Sequence, residues 1–142
     1  MTRRLRKLHI FAAVLMTGSA FQSVIPTALA GPVGECQATT SNQIETGQCL
    51  RETLGAAEQV MALALAHARS NADSTDQVTG RSGARPALDQ SQAVWLQFRD
   101  LNCAVPGAFA AGGSGSGQFI VSCQIDMTRA RSIELDVLAV GP

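Results

Sequence analysis

Four cysteines, Cys36, Cys49, Cys103 and Cys123, are the residues of this 142-residue chain whose type and spacing point most directly to chemistry. Their separations of 13, 54 and 20 positions contain no close pair of the C-x-x-C kind, and past residue 30 the sole histidine is His67. Structural zinc needs close ligand pairs or clustered imidazoles. An even number of dispersed cysteines in a small exported chain reads instead as two disulfides. Other reactive constellations are hard to assemble. His67 lies in an Ala/Leu-rich stretch and reads as a helix residue rather than a general base, and no G-x-S-x-G element offers an activated serine. The run Gly112-Gly113-Ser114-Gly115-Ser116-Gly117 lacks the G-K-[ST] ending that gives a phosphate loop its cation and metal ligand. The acids are too dispersed for a calcium loop. No catalytic residue, metal site or cofactor is expected.

The cysteine reading depends on compartment, and the N-terminus supplies one. Arg3, Arg4, Arg6 and Lys7 form a positive segment; an apolar run follows from Leu8 to Leu15 and weakens toward Ile25; Pro26 and Ala28-Leu29-Ala30 supply a breaker and a small-residue cleavage site. These are the parts of a secretory signal, expected over residues 1–30, with a single domain at 31–142. Gly18, Ser19, Gln22, Ser23 and Pro26 interrupt the run before it becomes a membrane span. Arg6 departs from a twin-arginine pattern, and Glu35 before Cys36 disfavours a lipid anchor. The destination is periplasmic or secreted.

Without the leader, the neutral whole-chain balance becomes seven arginines against 11 Asp and Glu, a formal charge of −4. Nucleic acids and anionic membranes call for clustered positive charge. An acidic domain suits a cationic partner better, through attraction and orientation at encounter.

The elements that must position the cysteines read as helices. Residues 31–42 look like an extended lead-in. Ser41 or Asn42 caps a first helix over 43–70, with Glu45 placed to complete a capping box. Leu50, Leu54, Ala57, Met61, Ala64 and Ala68 recur at steps of three and four as its inner face, widened by Val60, Leu63 and Leu65. The polar residues 71–85 read as a loop. Pro86 opens a second helix to about Asn102, with Leu88, Trp95, Phe98 and Leu101 inward and Trp95 and Phe98 as core anchors. Residues 106–118 read as a flexible loop, 119–121 as a short extended segment, and 125–140 as a third helix whose inner face is Met127, Ala130, Ile133 and Val137. The fold class is all-α: an antiparallel helical hairpin plus a third, C-terminal helix, stapled by disulfides. An antiparallel hairpin with those boundaries favours the pairs Cys49–Cys103 and Cys36–Cys123, with Cys36–Cys49 and Cys103–Cys123 as the alternative.

The densest stretch is Gln92-Ala93-Val94-Trp95-Leu96-Gln97-Phe98-Arg99-Asp100-Leu101-Asn102-Cys103. Arg99, near the helix end, complements the helix dipole and could pair with an acid on another helix. Together with Cys36, Glu45 and Cys49 before it, and Cys123, Thr128, Arg131 and Leu135 after it, this stretch resembles the LprI-like lysozyme-inhibitor family. The shared pattern is Q-x-x-W-x-x-[FY]-R-D-x-x-C, then a Gly-containing loop, then C-x-x-x-[MLT]-T-x-x-R-x-x-x-L. It covers about residues 36–138. Here its positions are Gln92, Trp95, Phe98, Arg99, Asp100 and Cys103, then Cys123, Thr128, Arg131 and Leu135. The first helix departs from the family's L-N-x-x-[YF] segment, carrying Glu58-Gln59-Val60-Met61-Ala62-Leu63. The resemblance implies lysozyme inhibition; with the leader, the sparse catalytic inventory and the acidic balance, the expectation is an exported, non-enzymatic binding protein, with lysozyme or another cationic envelope protein as partner and neither nucleic acid nor membrane. The rival expectation is a periplasmic structural or adaptor domain that binds another envelope protein.

Overall fold

The computed structural model describes residues 31–113 and 115–141, so the expected leader at 1–30 lies outside the described residues. The described chain forms four helices: α1 (Gly31–Gln37), α2 (Gln43–Thr79), α3 (Ala84–Phe109) and α4 (Ser116–Val140). No strand occurs among the described residues. The fold is all-α, as the periodicity implies. α2 and α4 run parallel: Gln118 Nε2 donates to the Gln43 carbonyl at 3.1 Å near their starts, and Asn71 Nδ2 donates to the Leu138 carbonyl at 2.9 Å near the end of α4. α3 runs antiparallel to both, and α1 packs against α2 and α4.

Asn42 is the cap of α2. Its Oδ1 accepts from the N–H groups of Ile44 and Glu45, each at 3.0 Å, and Glu45 Oε2 accepts from the Ser41 N–H at 2.8 Å. These bonds occupy donors that a helix start leaves without intrahelical partners. The expected inner face of α2 is largely as observed. Leu50, Ala57, Met61, Ala64 and Ala68 are buried and Leu54 half-buried, whereas Val60 and Leu63 are exposed.

Four boundaries differ from the sequence expectation, each for a local reason. Residues 31–37 are helical rather than extended, with Pro32 in the first turn and Cys36 buried. α2 continues through the polar stretch to Thr79, because Ala72 extends the alanine stripe and Gly80, at φ 65°, supplies the left-handed residue that ends the helix. α3 passes Pro106 and ends at Phe109. Its last turns hold because Gly107 lies flat against α4, where an added Cβ would fall on the Ile120 side chain. Residues 119–121 belong to α4. Val121 and Ile125 extend one stripe through Thr128, Ser132 and Leu135, and that packing overrides the strand preference of a β-branched pair.

The preferred disulfide pairing is also corrected. The bridges are Cys36–Cys49, with Cα atoms 5.8 Å apart, and Cys103–Cys123, at 5.4 Å. With α2 ending at 70 and α3 starting at 86, Cys49 and Cys103 would lie nearly level. In the structure Ala84 meets Asp76, Arg69 meets Asp89 and Arg99 meets Glu58, so α2 and α3 pair close to the register those boundaries imply. The bridges differ because of the faces the cysteines occupy: Cys49 turns to Cys36 of α1, beside Leu50 and Ile125, and buried Cys103 turns to Cys123 of α4.

The interior is layered. One apolar cluster joins Met61, Ala64, Ala68, Ala72, Leu88 and Leu135; a second joins Cys36, Leu50 and Ile125 with the half-buried Val33, Leu54 and Val121. Between them lies a polar layer, formed by buried Gln92 and Arg99 of α3 and buried Thr128, Arg131 and Ser132 of α4.

Candidate functional site

The polar layer is where the residues singled out from sequence come together. The inward positions of α3 are Leu88, Gln92, Arg99, Cys103 and Gly107, and those of α4 are Ile125, Thr128, Arg131, Ser132 and Leu135. Both helices are therefore rotated relative to a purely apolar reading. Phe98 and Leu101, expected inside, are 55% and 74% exposed, and Ile133 and Val137, expected inside α4, are exposed as well. Burying an arginine is costly unless its donors are met, and here they are met.

Arg99 Nη1 donates to Glu58 Oε1 of α2 at 2.9 Å and to Thr128 Oγ1 of α4 at 3.2 Å, while its Nε donates to Asp100 Oδ1 at 3.0 Å. Arg131 Nε donates to Gln92 Oε1 at 3.0 Å, its Nη1 to Glu134 Oε2 at 2.8 Å and its Nη2 to Ser91 Oγ at 3.4 Å. Half-buried Trp95 lies within reach of both cations. Each guanidinium carbon is 5.7 Å from its ring centroid, within the range of cation–π attraction. Asp100 also accepts from Gln124 Nε2 of α4 at 3.2 Å. Two like charges share one ring because Glu58, Asp100 and Glu134 balance them at the edge of the layer. Among the described residues no buried side-chain polar atom lacks a partner.

The arrangement holds three helices in one register. Gln92, Trp95, Arg99, Asp100, Thr128 and Arg131 form this clamp, Leu135 packs in the apolar cluster beside it, and Phe98 points away from it. Sequence reasoning placed Glu58 only in the segment that departs from the family pattern and did not single out Ser132. Glu58 was findable, since it follows buried Ala57 at the edge of the α2 stripe; its tie to Arg99 spans 41 residues and leaves no local pattern.

Away from the clamp, ion pairs fasten the periphery. Arg129 meets Glu35 of α1 through two bonds of 3.0 and 2.9 Å, and the Arg129 hydrogen bond holds the Glu35 carboxyl below its usual range. Burial pushes neighbouring Asp126 up, with Glu35 adding to the effect and Arg129 opposing it. At the α2–α3 turn, Asp76 accepts from the backbone N–H groups of Arg85, Ala84 and Gly83 at 3.0, 2.8 and 3.0 Å, which lowers its pKa. Asp89 is lowered by hydrogen bonds from Arg85, at 2.8 Å, and Arg69, at 2.7 Å.

His67 is exposed on α2. Among the described residues no group of three or more His, Cys, Asp or Glu side chains could hold a metal ion, and no helix is long and apolar enough to cross a membrane. The described residues form several open grooves, two of which run beside residues named above. One, of about 550 Å³, follows α3 past Ser91, Val94, Trp95 and Phe98. The other, of about 350 Å³, runs between α2 and α4 past Ala57, Val60, Arg129 and Ile133.

Fold and clamp together define a small, disulfide-stapled helical domain whose register is set by two buried arginines around one tryptophan. The pattern of the family described as Lysozyme inhibitor LprI matches residues 35–135, and the chain belongs to that family. An uncharacterized protein of Rhizobium meliloti (strain 1021) is 37% identical over 57 residues, 40% of this chain. The chain spans 41% of the length of that curated relative. No solved structure matches.

Proposed function

We propose that this chain is an exported, non-enzymatic binding protein that inhibits lysozyme by covering its substrate cleft. The observation that carries the proposal is the family match across residues 35–135, which spans both disulfides and the whole clamp. Three features support it. The leader-like residues 1–30 direct the chain out of the cytoplasm. Two disulfides suit an oxidising compartment. From residue 31 onward the chain carries seven arginines and 11 acids, an excess that attracts a cationic enzyme. The Gly-rich turn between α3 and α4, around Gly112 and Gly113, is the candidate element for reaching a concave site.

A binding titration with purified lysozyme at two ionic strengths tests the proposal, with the chain purified as it accumulates and its disulfides intact. The expected result is a saturable complex, weaker at high salt because screening reduces the charge attraction. Absence of a complex at tens of micromolar at both ionic strengths would reject it.

A further inference from the structure

The outward face of α3 is apolar over most of the helix length and carries no charge. Val94, Phe98, Leu101, Val105 and Phe109 are 58%, 55%, 74%, 50% and 87% exposed. Between Ala87 and Phe109 the charged residues of α3 are Asp89, Arg99 and Asp100, and each is tied by hydrogen bonds to another helix of the same chain. What remains outward is alanine, serine, glutamine, asparagine and large apolar side chains. From residue 31 onward the chain has an acid excess of four, and an uncharged strip of this length is ill suited to recognising a cationic protein.

The spacing specifies what would cover it. Val94, Phe98, Leu101 and Val105 are separated by four, three and four residues, the 3.5-residue repeat of a helix–helix seam. The same four residues read almost identically in both directions about a midpoint between Arg99 and Asp100. Each outer position is valine, and the inner pair is phenylalanine and leucine. An isologous contact sets residue i on one copy against j on the other and j against i, and this near-palindrome matches each such pair in size and polarity. In an antiparallel crossing, Val94 faces Val105 of the second copy and Phe98 faces its Leu101. The lack of charge also lets two acidic copies meet without like charges at the seam.

We infer that α3 is the interface of a homodimer, in which two copies of this chain pack their α3 helices antiparallel about a two-fold axis at the level of Arg99 and Asp100. The exposed parts of the five large side chains amount to roughly 600 Å² per copy, comparable with the ~800 Å² per partner of a standard stable interface. The apolar body of the seam lies over the clamp, so the register that Arg99 and Arg131 enforce inside the bundle also fixes the seam's orientation outside it. This assembly is independent of lysozyme binding.

Sedimentation of the full chain as it accumulates, with disulfides intact, is the test. The expected species at micromolar concentration has twice the single-chain mass. Phe98→Glu is expected to raise the dissociation constant at least about tenfold, with helix content unchanged by circular dichroism. The double variant Phe98→Glu/Leu101→Arg is expected to recover the dimer. An antiparallel seam sets the carboxylate introduced at position 98 against the guanidinium introduced at position 101 of the other copy. A parallel seam would set like against like. Ile133→Glu, on the α2–α4 groove, is expected to leave the dimer intact. A single-chain mass for the unmodified protein would overturn the inference, whether or not the strip then binds vesicles or lysozyme. A dimer that survives Phe98→Glu, or that the double variant does not restore, would also overturn it.

Discussion

The two ends of the bundle are closed by different chemistry. Where α2 and α4 begin, two covalent bridges join α1 to α2 and α3 to α4, around the cluster of Cys36, Leu50 and Ile125. At the α2–α3 turn no bridge is present. Asp76 caps the start of α3, and Asp89 gathers Arg69 and Arg85. The apolar cluster nearer that turn sets Met61, Leu88 and Leu135 against Ala64, Ala68 and Ala72, which let helices approach but each bury little area. Small domains bury a limited fraction of their surface, so links beyond the apolar core carry more weight. The comparison teaches that one end responds to redox conditions and the other to pH and salt. The polar clamp lies between them and ties α2, α3 and α4 to one another.

The largest effect expected is that of reduction. Each bridge restricts the unfolded chain by about 2–4 kcal/mol for loops of this size. Reducing both at neutral pH should remove most of the stability, read as a collapse of the denaturant midpoint. Cys103→Ala/Cys123→Ala should lose about half of that difference. If melting is unchanged on reduction, the stapled end is not the stronger one.

The clamp comes next. Arg99→Met should cost about 2–3 kcal/mol, because it strips the Thr128 hydroxyl and the Glu58 carboxylate of a donor inside or beside the layer. The figure stays below that for a fully buried ion pair because Glu58 is 44% exposed on its side chain. Chemical denaturation measures it, and a loss below about 0.5 kcal/mol would class the clamp with ordinary surface pairs.

Acid has the smallest effect and separates the ends by sign. Asp76 and Asp89 have folded pKa values lowered from 3.8, so their contribution is present above that value and lost as pH falls through the folded values. At the stapled end Glu35 is lowered from 4.5 but Asp126 is raised from 3.8, and the two responses oppose each other. The melting temperature should therefore fall below about pH 4, mainly through the turn. Asp76→Asn and Asp89→Asn should each flatten that dependence, whereas Glu35→Gln should change it less. Equal flattening by all three would remove the distinction between the ends.

This contrast also marks how far the sequence could be read. Helix class, the alanine stripe of α2, the Asn42 cap and the number of helices in the main body follow from periodicity and capping chemistry. The helical continuation over 71–79 is hidden in the sequence because its one buried anchor, Ala72, is a single small residue among exposed polar ones. That missed extension leaves the α2–α3 register as expected; the cysteine pairs are misjudged because Cys49 faces α1 and Cys103 faces α4. The inner faces of α3 and α4 are misjudged for a second reason. Gln92, Arg99, Thr128 and Arg131 point inward because they satisfy one another, while Phe98, Leu101, Ile133 and Val137 point out. A hydrophobic pattern cannot rank a satisfied buried arginine above an exposed phenylalanine. The motif comparison marks the arginines and Trp95 as belonging together but carries no geometry.

The central functional claim is tested most directly by lysozyme turnover on a peptidoglycan substrate in the presence of the purified chain, oxidised and then reduced. The account predicts saturating inhibition by the disulfide-bonded form and its loss on reduction, because the stapled helices hold the binding surface in shape. Full lysozyme turnover at tens of micromolar excess of the oxidised chain would contradict it.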